Sequence, residues 1–276
     1  MIIGMRGHDF GRMEPDALAA AIAESGFACT QLAFTKAFPQ SADTYMTPDA
    51  LASIRAAFEK NGVAIPVMGC YISASDKDDA VRAAAKEKFI AALRASVLLG
   101  AGCVGTETTH FTFDESEREA AYARLLDFVR AVVPAAEECG GIVGIEPVAV
   151  HTLNTPELTR RLLQDVRSPN LKVILDMGNL LTPQTTSPED QQDILTRCLE
   201  CFGDQICALH LKDGRFNENG KWINCPLGEG VMDWPRLLPR LRAHNDSLCI
   251  MREDVWPGIA KEERAIIGRW MEGQGA

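Results

Sequence analysis

The chain has 276 residues, 46% of them hydrophobic and 24% charged, with 28 Lys and Arg against 38 Asp and Glu for a net charge of −10. That length fits one barrel-sized domain or two small ones and suffices for a substantial buried core. The acidic balance and the lack of any Lys/Arg run argue against a nucleic-acid surface, and no apolar run reaches the roughly 20 residues a membrane helix needs.

Short β-rich apolar runs alternate with amphipathic helical stretches from one end to the other. The first strand is expected over Ile2–Met5, followed by a helix over Pro15–Ser25 with Pro in its first turn and Gly26 as its stop. A second strand covers Ala28–Ala33, and its helix, Pro48–Lys60, closes at Asn61-Gly62. The third strand is Ala64–Gly69, with a long helix over Asp78–Leu99 ending at Gly100. The fourth is Cys103–Thr106, with a helix over Glu115–Cys139 ended by Gly140-Gly141.

The second half repeats the pattern. A fifth strand at Ile142–Glu146 precedes a helix at Pro156–Val166, and a sixth at Leu171–Asp176 precedes a helix at Pro188–Phe202. The seventh strand, Ile206–Leu211, is followed by a long loop and a helix at Asp233–Ala243. The eighth is Leu248–Arg252, with a last helix over Lys261–Glu272. Strands alternating with helices imply parallel pairing through right-handed crossovers. Eight such units without a linker match a single (β/α)8 TIM barrel spanning residues 1–276. The competing doubly wound sheet usually carries a glycine-rich loop after its first strand, and Gly4-Met5-Arg6-Gly7 is not one.

Nine scattered cysteines, several in apolar runs, read as small core hydrophobes in a reducing, cytoplasmic setting. Cys198 and Cys201 have CxxC spacing, but they fall in a predicted helix without a second such pair, so no thiolate metal site is expected. Met1–Phe10 carries Arg6, His8 and Asp9 after a short apolar start and does not read as a signal peptide.

Catalytic groups of such barrels stand at the C-terminal ends of strands. The fifth strand ends in Glu146, the sixth in Asp176, the seventh carries His210, and the eighth leads into Glu253. Four consecutive strands thus each deliver one metal-ligand type. Side chains alternate with period two, so Gly144 and Glu146 share a face, as do Ala208 and His210, and Met251 and Glu253. Acids that follow runs as apolar as Ile142-Val143-Gly144-Ile145 are costly to bury without a cation or partner. Three carboxylates and one imidazole suit one divalent metal ion, Mn, Mg or Co before Zn.

The stretches GIEP, LDMGN, LHLKDGR and PLGEGVMDW, followed by an acid on the last strand, resemble the sugar phosphate isomerase/epimerase family of the xylose isomerase-like TIM barrel superfamily. The resemblance runs over nearly the whole chain. It implies Glu146, Asp176, His210 and Glu253 as metal ligands, with Glu146 and Glu253 also the catalytic acid/base pair. It implies Arg215 as a substrate-holding arginine. Asn179 stands where the family's ketose 3-epimerases usually carry His, a departure that other members share.

The implied reaction is isomerisation or epimerisation of a small sugar-like hydroxy-carbonyl substrate. A metal lowers the cost of an enediolate, and two carboxylates move the proton. Further substrate contacts are expected from His8, Glu107, His110, His151, Asn154 and Asn179. Tyr71, Phe34 and Trp256 are candidates for an apolar wall, and Lys36, Lys212 and Arg6 for neutralising a phosphate. Gly228-Glu229-Gly230 reads as a structural turn before a helix capped by Asp233. The alternatives are a metal-dependent dehydratase of a keto-inositol and a non-catalytic sugar-binding barrel. With only five His in the chain, a multi-zinc nuclease site is not expected. The expected partner is a small-molecule substrate, with a homo-oligomer left open and no nucleic acid or membrane partner.

Overall fold

A computed structural model describes residues 1–111 and 114–274. Eight strands close into a parallel barrel: β1 (Ile2–Arg6), β2 (Cys29–Leu32), β3 (Ala64–Gly69), β4 (Cys103–Glu107), β5 (Val143–Glu146), β6 (Leu171–Asp176), β7 (Ile206–Leu211) and, after a two-stranded hairpin of β8 (Asp213–Phe216) and β9 (Trp222–Cys225), β10 (Cys249–Arg252). The order around the barrel follows the chain, and β10 pairs with β1 through Ile2 and Cys249 to close it. The expected strands all form, with ends displaced by at most two residues. Among the described residues no helix is long and apolar enough to cross a membrane.

The helices begin where local chemistry says they should. Thr47, Thr155 and Ser187 each accept a backbone N–H at a helix start, with Pro48, Pro156 and Pro188 at the first helical position. Ser187 and Asp190 form a reciprocal capping box. One expectation fails here: Asp233 occupies the cap position of the Trp234–His244 helix, but its side chain makes no capping bond and lies 3.5 Å from Arg236 instead.

The barrel interior is filled by Val67, Cys103, Ile174 and Ala208. Gly105 and Gly144 make room for this layer. A Cβ on Gly105 would lie 2.7 Å from Ile174 Cδ1, and one on Gly144 would lie 3.1 Å from the same atom. Two residues further along β6 and β7 the same interior face presents Asp176 and His210, directly paired across the strands. On β4 and β5 the paired positions at that level are Glu107 and Glu146. An apolar plug therefore floors a charged mouth at the C-terminal end of the strands.

The hairpin and the loop after it hang on one carboxylate. Asp213 accepts the backbone N–H groups of Gly214, Gly228, Gly230 and Met232 at 2.8–3.1 Å. A Cβ on Gly230 would stand 1.9 Å from Asp213 Oδ1, so only glycine fits this turn.

Candidate metal centre

Ligand atoms of Glu146, Asp176 and His210 lie within 4.8 Å of one another, and all three residues are buried. Glu253, 7% exposed, stands outside that tightest group but on the same histidine. His210 Nδ1 is 3.1 Å from Glu146 Oε2 and 3.2 Å from Glu253 Oε1. It meets neither oxygen at a hydrogen-bonding angle. A buried ring nitrogen that converges with carboxylate oxygens at 3.1 and 3.2 Å is what a cation ligand presents. The donor set, three hard oxygens and one imidazole, also fits a divalent ion.

Several groups hold these side chains in place. Asn179 is central: its backbone N–H is capped by Asp176 Oδ1 at 3.0 Å, and its Nδ2 donates to Glu146 Oε1 at 2.6 Å. Its Oδ1 accepts from Lys212 Nζ at 2.5 Å. Lys212 also stands 2.9 Å from Asp176 Oδ2 and 3.5 Å from Glu253 Oε2, so its ammonium sits among the acids. Arg6 binds Asp9 and Asp254 and reaches Glu253 Oε1 at 3.5 Å. Arg6 and Lys212 are thus committed to carboxylates, not free for a phosphate as the sequence suggested.

Burial and charge set the acidities. Burial raises Asp176 to about 6, partly offset by Lys212. Burial and the Glu146 carboxylate raise Glu107 to about 7. Burial disfavours the His210 imidazolium, but Glu146 and Glu253 outweigh it and lift the ring to about 9. Burial works against ionised Glu253 too, yet His210, Lys212 and Arg6 hold it well below the usual carboxylate range. Burial and the nearby Arg6 and Lys36 charges lower His8 to about 4.

The remaining expected residues divide. Glu107 stands at the barrel rim with His151 Nε2 3.8 Å away, and His110 packs edge-on against His151 at 5.6 Å between ring centres. His8 is half-buried in a short turn after β1, and Asn154 is half-buried in the loop after β5. Arg215 is exposed on the hairpin, and the arginine that touches the cluster is Arg6. Phe34 is buried against Phe38 and Tyr45 as core packing. Trp256 is exposed, and with Asp9, Asn224, Cys225, Asp254 and Val255 it lines a cleft of about 340 Å³ beside the cluster. The cleft reaches the rim but not the cluster itself, where Lys212 stands.

Gln31 and Asp9 escaped the sequence reading. Gln31 is the one amide in the fully buried strand Cys29–Leu32, and that burial is the signal it carries. Asp9 follows the first strand at the barrel mouth, next in sequence to His8.

The profile of the family described as xylose isomerase-like TIM barrel matches residues 19–270. No curated protein matches the chain. Among solved structures, a D-tagatose 3-epimerase-like protein superposes with a TM-score of 0.80 at 16% identity, covering 99% of this chain and 98% of that one. A 3-keto-D-glucoside 4-epimerase from E. coli gives 0.77 at 17% identity, covering 97% and 99%. An IOLI protein with a zinc atom bound gives 0.77 at 14% identity, covering 99% and 98%. At these identities the likeness is one of fold.

Proposed function

This chain belongs to the xylose isomerase-like TIM barrel family, and we propose that it is a divalent-metal-dependent isomerase or epimerase of a small sugar or sugar-like hydroxy-carbonyl substrate. The observation that carries the reading is the position of His210 Nδ1, unbonded and buried between Glu146 and Glu253. Glu146, Asp176, His210 and Glu253 would hold one ion, Mn, Mg or Co before Zn. Bound there, the ion supplies Lewis acidity that lowers the cost of negative charge on substrate oxygens.

The protein's own groups do the rest. Glu146 and Glu253 approach the centre from two sides, so one would accept the proton α to the carbonyl while the other, in its protonated form, would supply a proton to a second face or carbon, exchange with solvent restoring the pair. Asn179 holds Glu146 by Oε1, which leaves Oε2 turned to the cluster. In the metal-free chain Lys212 and Arg6 favour the ionised form of Glu253. Glu107, weakened as an acid to about 7, can give or take a proton at neutral pH. With His8, His151, Asn179 and, from the hairpin, Arg215, it completes the set proposed to contact substrate.

A second reading rests on Asn179. It hydrogen-bonds a proposed catalytic glutamate at a position where related ketose 3-epimerases usually carry His. The same ligands could then serve β-elimination from a keto-inositol, a dehydratase reaction that gives an absorbing enone-type product.

The test is deuterium exchange. The Mn²⁺-loaded protein in D₂O is offered ketoses, aldoses and keto-inositols, with proton NMR and ultraviolet absorbance followed together. Exchange at the carbon next to the carbonyl, lost in Glu146→Gln, supports the isomerase. A rising enone absorbance selects the dehydratase. Substrate binding without exchange or absorbance would leave a sugar-binding barrel.

A further inference from the structure

Behind the histidine of the centre lies a buried amide with no assigned role. Gln31 is on β2, only 3% exposed, and its side chain shares the interior face with Cys29. An amide inside a barrel is tolerated when both its ends are paired. Both are: Oε1 lies 2.6 Å from His210 Nε2, and Nε2 donates to the Tyr71 hydroxyl at 3.2 Å. Tyr71 is held in turn by Lys36, whose Nζ lies 3.8 Å over the ring.

A neutral imidazole has one proton for two nitrogens. His210 Nδ1 faces Glu146 and Glu253, so a cation there needs the Nδ1 lone pair and the proton must reside on Nε2. The acceptor set against Nε2 is Gln31 Oε1. The opposite amide orientation would set an NH₂ group against an N–H, donor facing donor.

We infer that Gln31 is a positioning residue for the metal centre. Its amide oxygen holds His210 as the Nε2–H tautomer and fixes the ring so that Nδ1 points into the carboxylates. Tyr71 pairs the other end of the amide and keeps its oxygen turned to the histidine. The inference rests on the proposed metal centre and adds a residue from the far side of the barrel, on β2. Partners of this kind on metal-ligating histidines typically change affinity by about 10–100-fold when removed.

The test measures Mn²⁺ affinity by calorimetry for wild type, Gln31→Met and Gln31→Glu, with the apo melting temperature of each. Long-range ¹H–¹⁵N spectra of the histidine rings, recorded with diamagnetic Zn²⁺ in place of Mn²⁺, accompany it, the His210 signals being assigned by their loss in His210→Ala. Gln31→Met keeps the volume and loses the acceptor, so Kd should rise about 10–100-fold and the Nε2–H signature of His210 should weaken. Gln31→Glu keeps an acceptor oxygen, so Kd should stay near wild type or fall. A Met variant that binds Mn²⁺ as tightly as wild type, whatever its melting temperature, overturns the inference and leaves Gln31 to packing. Should the Met variant not fold, a Glu variant weakened tenfold or more overturns it instead. Wild type that binds no metal ends the parent reading and this one together, an outcome distinct from equal binding by wild type and variant.

Discussion

Lys212 Nζ stands 2.9 Å from Asp176 Oδ2, and both side chains are cut off from solvent. The ammonium thus neutralises part of the same carboxylate cluster that would receive a metal ion. Removing one partner of a buried ion pair costs about 3–5 kcal/mol, because the other charge is left uncompensated. Lys212→Met should therefore lower apo stability by about that amount. A divalent cation would replace the lost charge, so saturating Mn²⁺ should stabilise the variant more than wild type. Urea titrations with EDTA and with Mn²⁺ check this. An equal Mn²⁺-induced gain in both proteins would mean that lysine and ion do not share the site.

Metal affinity should depend on pH through His210. Burial opposes its charge, but Glu146 and Glu253 lift its value from 6.5 to about 9 in the metal-free chain. The folded value exceeds the unfolded one. The stability this group contributes is therefore fully present below 6.5 and is lost as pH rises through about 9. An ion at Nδ1 must displace that proton. Mn²⁺ affinity should then rise about tenfold per pH unit between 7 and 9. Below pH 6 the fall should steepen, since burial also raises Asp176 to about 6. Calorimetry at three pH values measures the slope, and a flat profile would contradict the assignment of Nδ1 as a ligand.

Asn179→Ala removes the 2.6 Å bond to Glu146 Oε1 and the acceptor of Lys212 Nζ. The change leaves the fold's elements alone and frees Glu146 to rotate. Metal affinity should drop by about tenfold or more. An Asp variant would keep the acceptor for Lys212 but lose the donor to Glu146. It should therefore bind metal no better than the Ala variant.

Arg252, which directly precedes Glu253 and whose side chain lies on the opposite face of β10, forms a second buried pair with Glu263, with two bonds of 2.7 and 2.9 Å. Glu263 also accepts the Leu227 N–H and so ties the last helix to the loop after the hairpin. Glu263→Gln should cost about 3–5 kcal/mol of stability while leaving the Mn²⁺ Kd of the folded protein unchanged. A change in Kd would show that the loop after the hairpin communicates with the centre.

How much of this was legible in the sequence follows from the range of the interactions. The barrel was readable because local signals recur along the chain: Pro at helix starts, Gly after helices, apolar runs between. Glu146, Asp176 and His210 were readable because parity and strand order place them on one face. Arg6 was not recognised as the arginine at Glu253, because that contact depends on β1 closing against β10 across almost the full chain length. Arg215, implied by the family resemblance, lies on the hairpin with its side chain exposed. That hairpin was read as a loop, since what shapes it is the Asp213 carboxylate gathering its neighbour's N–H and three from 15 to 19 residues away. Gln31 was passed over because its partner, His210, lies 179 residues away.

The central claim is that Glu146, Asp176, His210 and Glu253 hold one divalent ion. The most direct measurement is the metal content of the purified protein after incubation with Mn²⁺, Co²⁺, Mg²⁺ or Zn²⁺ and removal of excess, with His210→Ala and Glu253→Gln alongside. The account predicts about one ion per chain in wild type, little or none in His210→Ala and weakened retention in Glu253→Gln. No bound ion under any of the four conditions, or retention by His210→Ala equal to wild type, would contradict it.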